Sequence, residues 1–344
     1  MPDALPPDDM NDDLEEERPA LPRAEDVVRR LSAGETVVPN DLLALSTPSD
    51  DIVASFLSLW AKLQPERRRE LLAAMQQLAE EDATLDFHRI HLSALRDPDP
   101  ATRILAVRGL WEQDREDYMR LLVEQLRSDP EATVRATIAE ILGNYVVGQE
   151  FGMLSEEAAE DLGSALRESI EDFNETEEVR AMALTSLGAS SEEWVSELIA
   201  ELYESGGPRM RQAATLAMGR NGDDQWLPIL LHSFDDEDGQ VRAAAAIAAG
   251  QLLMEEAIDP LILLVDDDEE DVQVAAVQAL GEIAGEGAER VLTDLMGRSE
   301  PYLRDAAREA LIGAQLLGID FEPEDEVGED DGSPAPRVTD EDDE

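Results

Sequence analysis

The chain of 344 residues has no cysteine, three histidines, one lysine and fourteen aromatic residues. Without cysteine there is no disulfide framework and no thiolate to act as nucleophile or metal ligand. His88, His91 and His232 are the whole supply of imidazole. His88 and His91 lie three apart near Asp86, so they could offer a metal two nitrogens and a carboxylate. The same spacing beside Phe87 and Ile90 suits a pair that covers a helix surface, and that reading is preferred here. No Gly-rich phosphate loop, Gly-x-Ser-x-Gly elbow or His-Glu-x-x-His motif occurs. No run of 18 apolar residues exists and no basic segment with an apolar stretch opens the chain, so a cytoplasmic protein without a membrane span is expected.

Cationic side chains are also scarce, with 27 Lys and Arg against 81 Asp and Glu, a formal charge of −54. A nucleic-acid partner is excluded on this ground, because binding a phosphate backbone requires cationic surface that releases counterions. A basic partner is favoured by the field. The near-complete use of Arg in place of Lys also resembles the composition of salt-adapted or GC-rich genomes, and both explanations of the acidity stay open. Carboxylate runs such as those at 235–238 and 266–271 fall in expected turns open to water. They lack the cleft that would drive two pKa values apart for acid and base work.

What the chain does have is repetition. An apolar residue, an Arg and a small or apolar residue three positions on recur around Arg103, Arg135, Arg180, Arg211, Arg242 and Arg304, with Gln273 in one further copy. From Arg180 onward the spacing is a constant 31 residues. A fixed period of this size marks one supersecondary unit copied along a solenoid. In the copy at 255–281, Ala257, Ile258, Leu261, Ile262, Leu264 and Val265 give helix A, and six carboxylates at 266–271 precede helix B, where its dipole favours them. Val272, Ala275, Ala276, Ala279 and Leu280 give helix B a narrow apolar face. Gly281, like Gly143, Gly188, Gly219 and Gly250, sits eight positions past the repeat's Arg or Gln, where it is expected to stop the helix. Pro100, Pro208 and Pro301 mark helix starts just before the Arg.

Asp97, Asp129 and Asp236 lie six residues before Arg103, Arg135 and Arg242, and Asp267 lies six before Gln273. Asn174, Ser205 and Arg298 hold that place before Arg180, Arg211 and Arg304. The pattern over about 83–317 resembles HEAT repeats of the phycobilisome-lyase-like type and uncharacterised acidic bacterial HEAT-repeat proteins. The resemblance implies a ladder in which each turn carboxylate meets guanidinium groups of its own and the adjacent repeat, each pair contributing ~1 kcal/mol or less if partly exposed. It also implies an all-α, right-handed α-α superhelix of the HEAT and armadillo kind. Among enzymes similar to such repeats, deoxyhypusine hydroxylase is expected to need recurring His-Glu pairs for its irons, and no His-Glu dipeptide occurs here. A bilin-lyase-like activity has no motif to support it.

The domain plan that follows has acidic tails without structure at 1–22 and 318–344, an irregular helical cap at 23–82 and seven helix pairs at 83–317. An insertion near 144–157 interrupts the period with Tyr145, Val146, Val147, Phe151 and Met153. Such insertions map to loops on one face, often the binding face, and the alternative, preferred here, is that these side chains fold back over their own repeat. Positions one, five and nine past each Arg stack along one side of helix B. Thr185, Gln212, Leu216, Arg220, Ile247 and Gln251 on that ridge, with Tyr145 and Phe151 in the insertion, are the expected partner-binding residues, the alternative for the ridge being that tight curvature buries it between neighbouring B helices. The expected function is a non-catalytic, monomeric scaffold or adaptor, with no cofactor and no metal, that holds a protein on its B-helix face. The alternative is an acidic decoy or chaperone for basic proteins acting through the tails.

Overall fold

A computed structural model describes residues 22–320, and among these residues the regular structure is helical, with no strand. The expected tails therefore lie outside the described residues, apart from Pro22 at one end and residues 318–320 at the other, where the last helix continues. Four helices come first: α1 (Ala24–Ser32), α2 (Pro39–Leu42), α3 (Asp50–Trp60) and α4 (Pro65–Glu81). Then come α5 (His88–Ala94) with α6 (Pro100–Arg108), α7 (Glu116–Ser128) with α8 (Ala132–Glu150), α9 (Glu156–Glu171) with α10 (Glu177–Leu187), and α11 (Glu193–Ser205) with α12 (Pro208–Asn221). Last are α13 (Leu227–Ser233) with α14 (Gly239–Gln251), α15 (Ile258–Leu264) with α16 (Glu270–Ile283), and α17 (Gly285–Leu295) with α18 (Pro301–Asp320). Two compact units divide at Ala248 and Ala249.

Helix starts follow the local chemistry. Pro65, Pro100, Pro208 and Pro301 each open a helix, where a missing N–H goes unnoticed. Asp99, Ser155 and Thr176 cap α6, α9 and α10 by accepting the N–H of Thr102, Ala158 and Val179. In the first unit each B helix lies against the next, α6 on α8, α8 on α10 and α10 on α12, and each also packs against its own A helix. Leu122, Leu142, Leu162, Leu184 and Leu230 are fully buried between them. In the second unit α16 packs on α15, α17 and α18 around Leu261, Leu280, Leu292 and Ala307.

The glycine eight past the Arg ends its helix in α10, where Gly188 follows Leu187 with right-handed helical dihedrals, but not in α8, α12, α14 or α16. Gly143 and Gly281 lie inside α8 and α16, and α12 ends instead at Gly222, in the left-handed region at φ 76°. The glycine is there for approach. A Cβ at Gly188 would stand 2.6 Å from the Cα of Ala217, and one at Gly281 would stand 2.6 Å from the Cβ of Ala310. Only a hydrogen fits at either point, so successive B helices touch backbone to backbone.

The insertion is not mainly a loop. Residues 144–150 continue α8 for about two further turns, with Tyr145 and Val146 buried in line with Ile138, Ile141 and Leu142. Only 151–155 are irregular, turning at Gly152 with φ 71°.

The ladder exists, with a different wiring from the one expected. Three of the Arg side chains turn back on their own loops, but they meet a backbone oxygen there: Arg103 donates to the carbonyl of Asp97 (2.9 Å), Arg135 to that of Asp129 (2.6 Å) and Arg242 to that of Asp236 (2.8 Å). The carboxylate is reserved for the preceding repeat. Arg103 forks onto both oxygens of Asp129 (2.8 and 2.7 Å) and Arg211 onto both of Asp236 (2.9 and 3.1 Å). Arg135 forks onto Glu175 (2.6 and 2.7 Å), which takes over one residue past Asn174. Arg180 donates to the carbonyl of Ile170 and lies over the Phe173 ring, while Arg304 donates to the carbonyls of Arg298 and Ser299. Each Asp also fixes its own loop by accepting the N–H two residues on, at Asp99, Glu131 and Asp238.

One rung falls in the segment expected to be a cap without the repeat signature. Arg68 of α4 donates to both oxygens of Asp97 (3.0 and 2.8 Å), which also accepts Trp60 Nε1 at 2.7 Å. The helix pair α3 and α4 thus joins the ladder. Burial also differs from the partly exposed pairs expected: the side chains of Arg103 and Asp129 are 8% and 3% exposed. Removing one member of such a pair strands a charge and costs about 3–5 kcal/mol, against ~1 for a surface pair. Burial pushes the Asp129 carboxyl up, but hydrogen bonds from Arg103, Gln125 and the Glu131 N–H outweigh it and hold it below the usual carboxylate range. Its stabilising contribution is present at neutral pH and is lost as acid takes the pH down through that lowered value.

Gly188→Ala should destabilise the protein by about 1–3 kcal/mol, because the facing backbone of Ala217 must move. Urea unfolding followed by circular dichroism measures this. An unchanged midpoint would mean that the helices do not depend on that approach.

Candidate functional site

The B-helix ridge is built by the repeat itself. Position five past each Arg is Arg108, Glu140, Thr185, Leu216 and Ile247 in α6, α8, α10, α12 and α14, all within the first unit. The two ends of this row differ in exposure from its middle. Arg108 and Glu140 are exposed, Leu216 is half-buried and Ile247 is 37% exposed. Thr185 is buried, contrary to its placement among exposed candidates, because α10 and α12 approach so closely there that its hydroxyl donates to the Ala181 carbonyl (3.0 Å) and lies 3.5 Å from that of Ala213. Gln212 is half-buried, its amide 3.4 Å from the Gln240 side chain. Gln251 is exposed but belongs to the second unit.

Arg220 is the most unusual member. It stands nine past Arg211 on α12, and its Nη1 lies 3.2 Å from where a Cβ on Gly143 would be, so the arm crosses α10 to reach α8. Below it Ser186 Oγ is buried and makes no hydrogen bond among the described residues. Burial pulls the Arg220 guanidinium below the ordinary arginine range, and Glu140 opposes the shift. It remains a cation at any physiological pH. Ridge and guanidinium together present apolar surface around a fixed positive charge in a chain that is otherwise acidic.

The two insertion candidates separate. Phe151 is 77% exposed and Tyr145 only 3%, since α8 continues through Tyr145 and turns its ring inward. Tyr145 is therefore no exposed anchor.

The histidine pair serves the fold. His91 is buried between α5 and α6, with Nδ1 3.2 Å from the Leu105 carbonyl, and a Cβ on Gly109 would collide with its ring at 2.0 Å. Burial lowers its pKa to about 4, with Leu105 opposing, so the ring is neutral and donates from Nδ1. His88 Nδ1 meets Asp86 Oδ1. Among the described residues no three His, Asp or Glu side chains gather as metal ligands, and no described helix is long and apolar enough to cross a membrane.

Arg68 and Glu175 are the ladder residues that sequence reasoning missed. A signal existed for Arg68, since Pro65 precedes it by three, as Pro100, Pro208 and Pro301 precede Arg103, Arg211 and Arg304.

The family model for HEAT repeats matches at residues 91–174, 164–250 and 233–312. The chain belongs to the HEAT-repeat family. No curated protein matches it. Among solved structures, this HEAT-repeat chain is similar to the Escherichia coli protein YibA at 18% identity, over 74% of this chain and 97% of that one, with a TM-score of 0.41. It is similar to a designed armadillo repeat protein at 21% identity, over 57% and 99%, with a TM-score of 0.34. It is also similar to human deoxyhypusine hydroxylase at 15% identity, over 85% and 96%, with a TM-score of 0.35.

The buried imidazole sets a pH dependence. The unfolded chain protonates His91 near 6.5 and the folded chain only near 4, so folded stability falls as pH drops between those values, by roughly 3 kcal/mol at full extent. An NMR titration should leave the His91 ring neutral at pH 5. A ring that titrates near 6.5 in the folded protein would contradict its burial.

Proposed function

We propose that this HEAT-repeat protein is a non-catalytic, monomeric cytoplasmic scaffold that holds a protein partner along the B-helix ridge of its first unit. The observation that carries the reading is the grouping of Leu216, Arg220 and Ile247 on one exposed side of adjoining helices. Aliphatic surface beside an arginine is the kind of group that concentrates interface energy. Ala181, Thr185 and Ala243 beside them are small and buried, so Leu216, Arg220 and Ile247 stand above that part of the ridge. Gln212 would contribute polar contacts at the edge.

A second reading follows from the charge of −54. In it the acidic residues of the tails screen or deliver a basic protein, and the repeats serve as a carrier. Removing residues 1–21 and 321–344 separates the two. Binding that survives the truncation supports the ridge, and binding that vanishes and had been weakened by salt supports the tails.

Arg220→Glu combined with Ile247→Asp should leave helix content and melting temperature unchanged and should abolish crosslinks between α12 or α14 and the partner in cells. Retained crosslinks at these helices would remove the ridge from consideration. Leu216 is half-buried, so its substitution would report on folding as well as on binding.

A further inference from the structure

Five asparagines occur in the chain, and one of them, Asn221, is followed by glycine. Asn221 is the last residue of α12, and Gly222 ends that helix in the left-handed region at φ 76°. The amide of Asn221 is tied on three sides. Its Nδ2 donates to the carbonyls of Gly188 (3.2 Å) and Ser190 (2.9 Å), just past α10, and its Oδ1 accepts the indole N–H of Trp226 at 2.7 Å. Two carbonyls only accept and an indole only donates, so the partners fix which way the amide faces. One side chain thus joins the end of α10, the end of α12 and the turn at Asp224–Trp226 that leads into α13.

An asparagine before glycine carries a chemical liability. The backbone nitrogen of the glycine can attack the side-chain Cγ, and without a Cβ on the glycine nothing hinders that nitrogen. A Cβ on Gly222 would meet nothing within 4 Å and the residue is exposed, so water and hydroxide reach the place. In the attack the N–Cγ bond forms, the Cγ–Nδ2 bond breaks, and Nδ2 departs as ammonia with the proton of the Gly222 nitrogen. Water then opens the cyclic imide, at Cγ to leave aspartate or at the backbone carbonyl to leave isoaspartate. No oxidant or cofactor enters. The fold opposes the first step twice. Ring closure needs the Gly222 nitrogen close to the plane of Asn221 Cα, Cβ and Cγ, and a helical ψ of about −42° turns it well out of that plane. Cγ also cannot swing toward the nitrogen while three hydrogen bonds hold the amide.

We propose that Asn221 and Gly222 form a deamidation site of this protein, kept shut by the three hydrogen bonds of the amide and opened when Trp226 and the end of α12 release it. The glycine that α12 needs for its left-handed stop is the same residue that exposes its neighbour to attack. Conversion replaces a donor by an anion. The Gly188 and Ser190 carbonyls then face a carboxylate in place of an N–H, at the negative ends of the α10 and α12 dipoles and in a chain whose formal charge is already −54. The tie between α10 and α12 is lost in one direction only, because the departed ammonia is not put back. Leu216 and Arg220 stand on the helix whose end is loosened, but the chemistry belongs to the chain itself and holds whichever surface meets a partner.

The test incubates the full chain, folded in buffer and unfolded in guanidinium chloride, at the same mildly alkaline pH. Digestion and mass spectrometry then follow the peptide that spans 221–222, with aspartate and isoaspartate resolved by chromatography. The unfolded chain should convert at Asn221 roughly tenfold faster than the folded one, or more. Asn144, inside α8 and followed by Tyr145, should stay an amide in the folded chain and serves as the internal reference. Trp226→Phe, checked for folding by circular dichroism, should speed conversion in the folded chain by roughly three- to tenfold, the worth of one hydrogen bond. Asn221→Asp, which needs no incubation, should melt below the parent. The proposal is overturned if the folded chain converts as fast as the unfolded one, if the unfolded chain does not convert at Asn221, if a folded Trp226→Phe protein converts no faster than the parent, or if Asn221→Asp melts at or above it.

Discussion

The buried ion pair between one repeat's Arg and the next repeat's carboxylate is the constraint from which the first unit is built. A guanidinium fork accepts a carboxylate in one plane and at one distance. Arg103 on Asp129 and Arg211 on Asp236 therefore fix both the spacing and the rotation of successive helix pairs. Because Arg103 also binds the Asp97 carbonyl of its own loop, and Asp97 binds the N–H two residues on, the loop, the helix and the neighbouring repeat are set there by a single cluster of polar groups. Such a cluster is costly to break in part and harmless when whole, which is the behaviour of a register device.

The second constraint is steric. Small residues let B helices meet at Gly188 and Ala217, and at Gly281 and Ala310, in the two units respectively. Side chains three positions before such glycines have little room between helices and are either swallowed, as Thr185 is, or pushed out, as Ile247 is. Arg220 shows the consequence for function. A flat row of small residues gives a long side chain a path across α10 to α8, so one charge is displayed at a fixed point on the surface. A partner that meets Leu216 and Ile247 meets this charge as well.

Much of this was legible in the sequence. The period of 31, the prolines and the Asp and Arg pairs pointed to paired helices along the repeats, since each signal is a backbone requirement that a single position can express, although α8 runs seven residues past Gly143. The remainder depends on neighbours distant in sequence. Gly281 reads equally as a helix stop or as a point of approach, because both need a missing side chain, and only Ala310 decides. Arg68 was hidden by Gln76, which takes the place of the glycine. Tyr145 counts among the binding candidates of the insertion although Ile138, Ile141, Leu142, Tyr145 and Val146 continue one helical stripe, because a break in a repeat invites a loop.

A double-mutant cycle on Arg68 and Asp97, with Arg68→Met, Asp97→Asn and the pair together, tests the ladder most directly. The account predicts that each single change costs several kcal/mol and that the double change costs markedly less than their sum, with a coupling of about 1.5 kcal/mol or more. Additive losses, or singles near zero, would contradict it, because the rung would then be an ordinary surface contact and something else would hold the repeats in register.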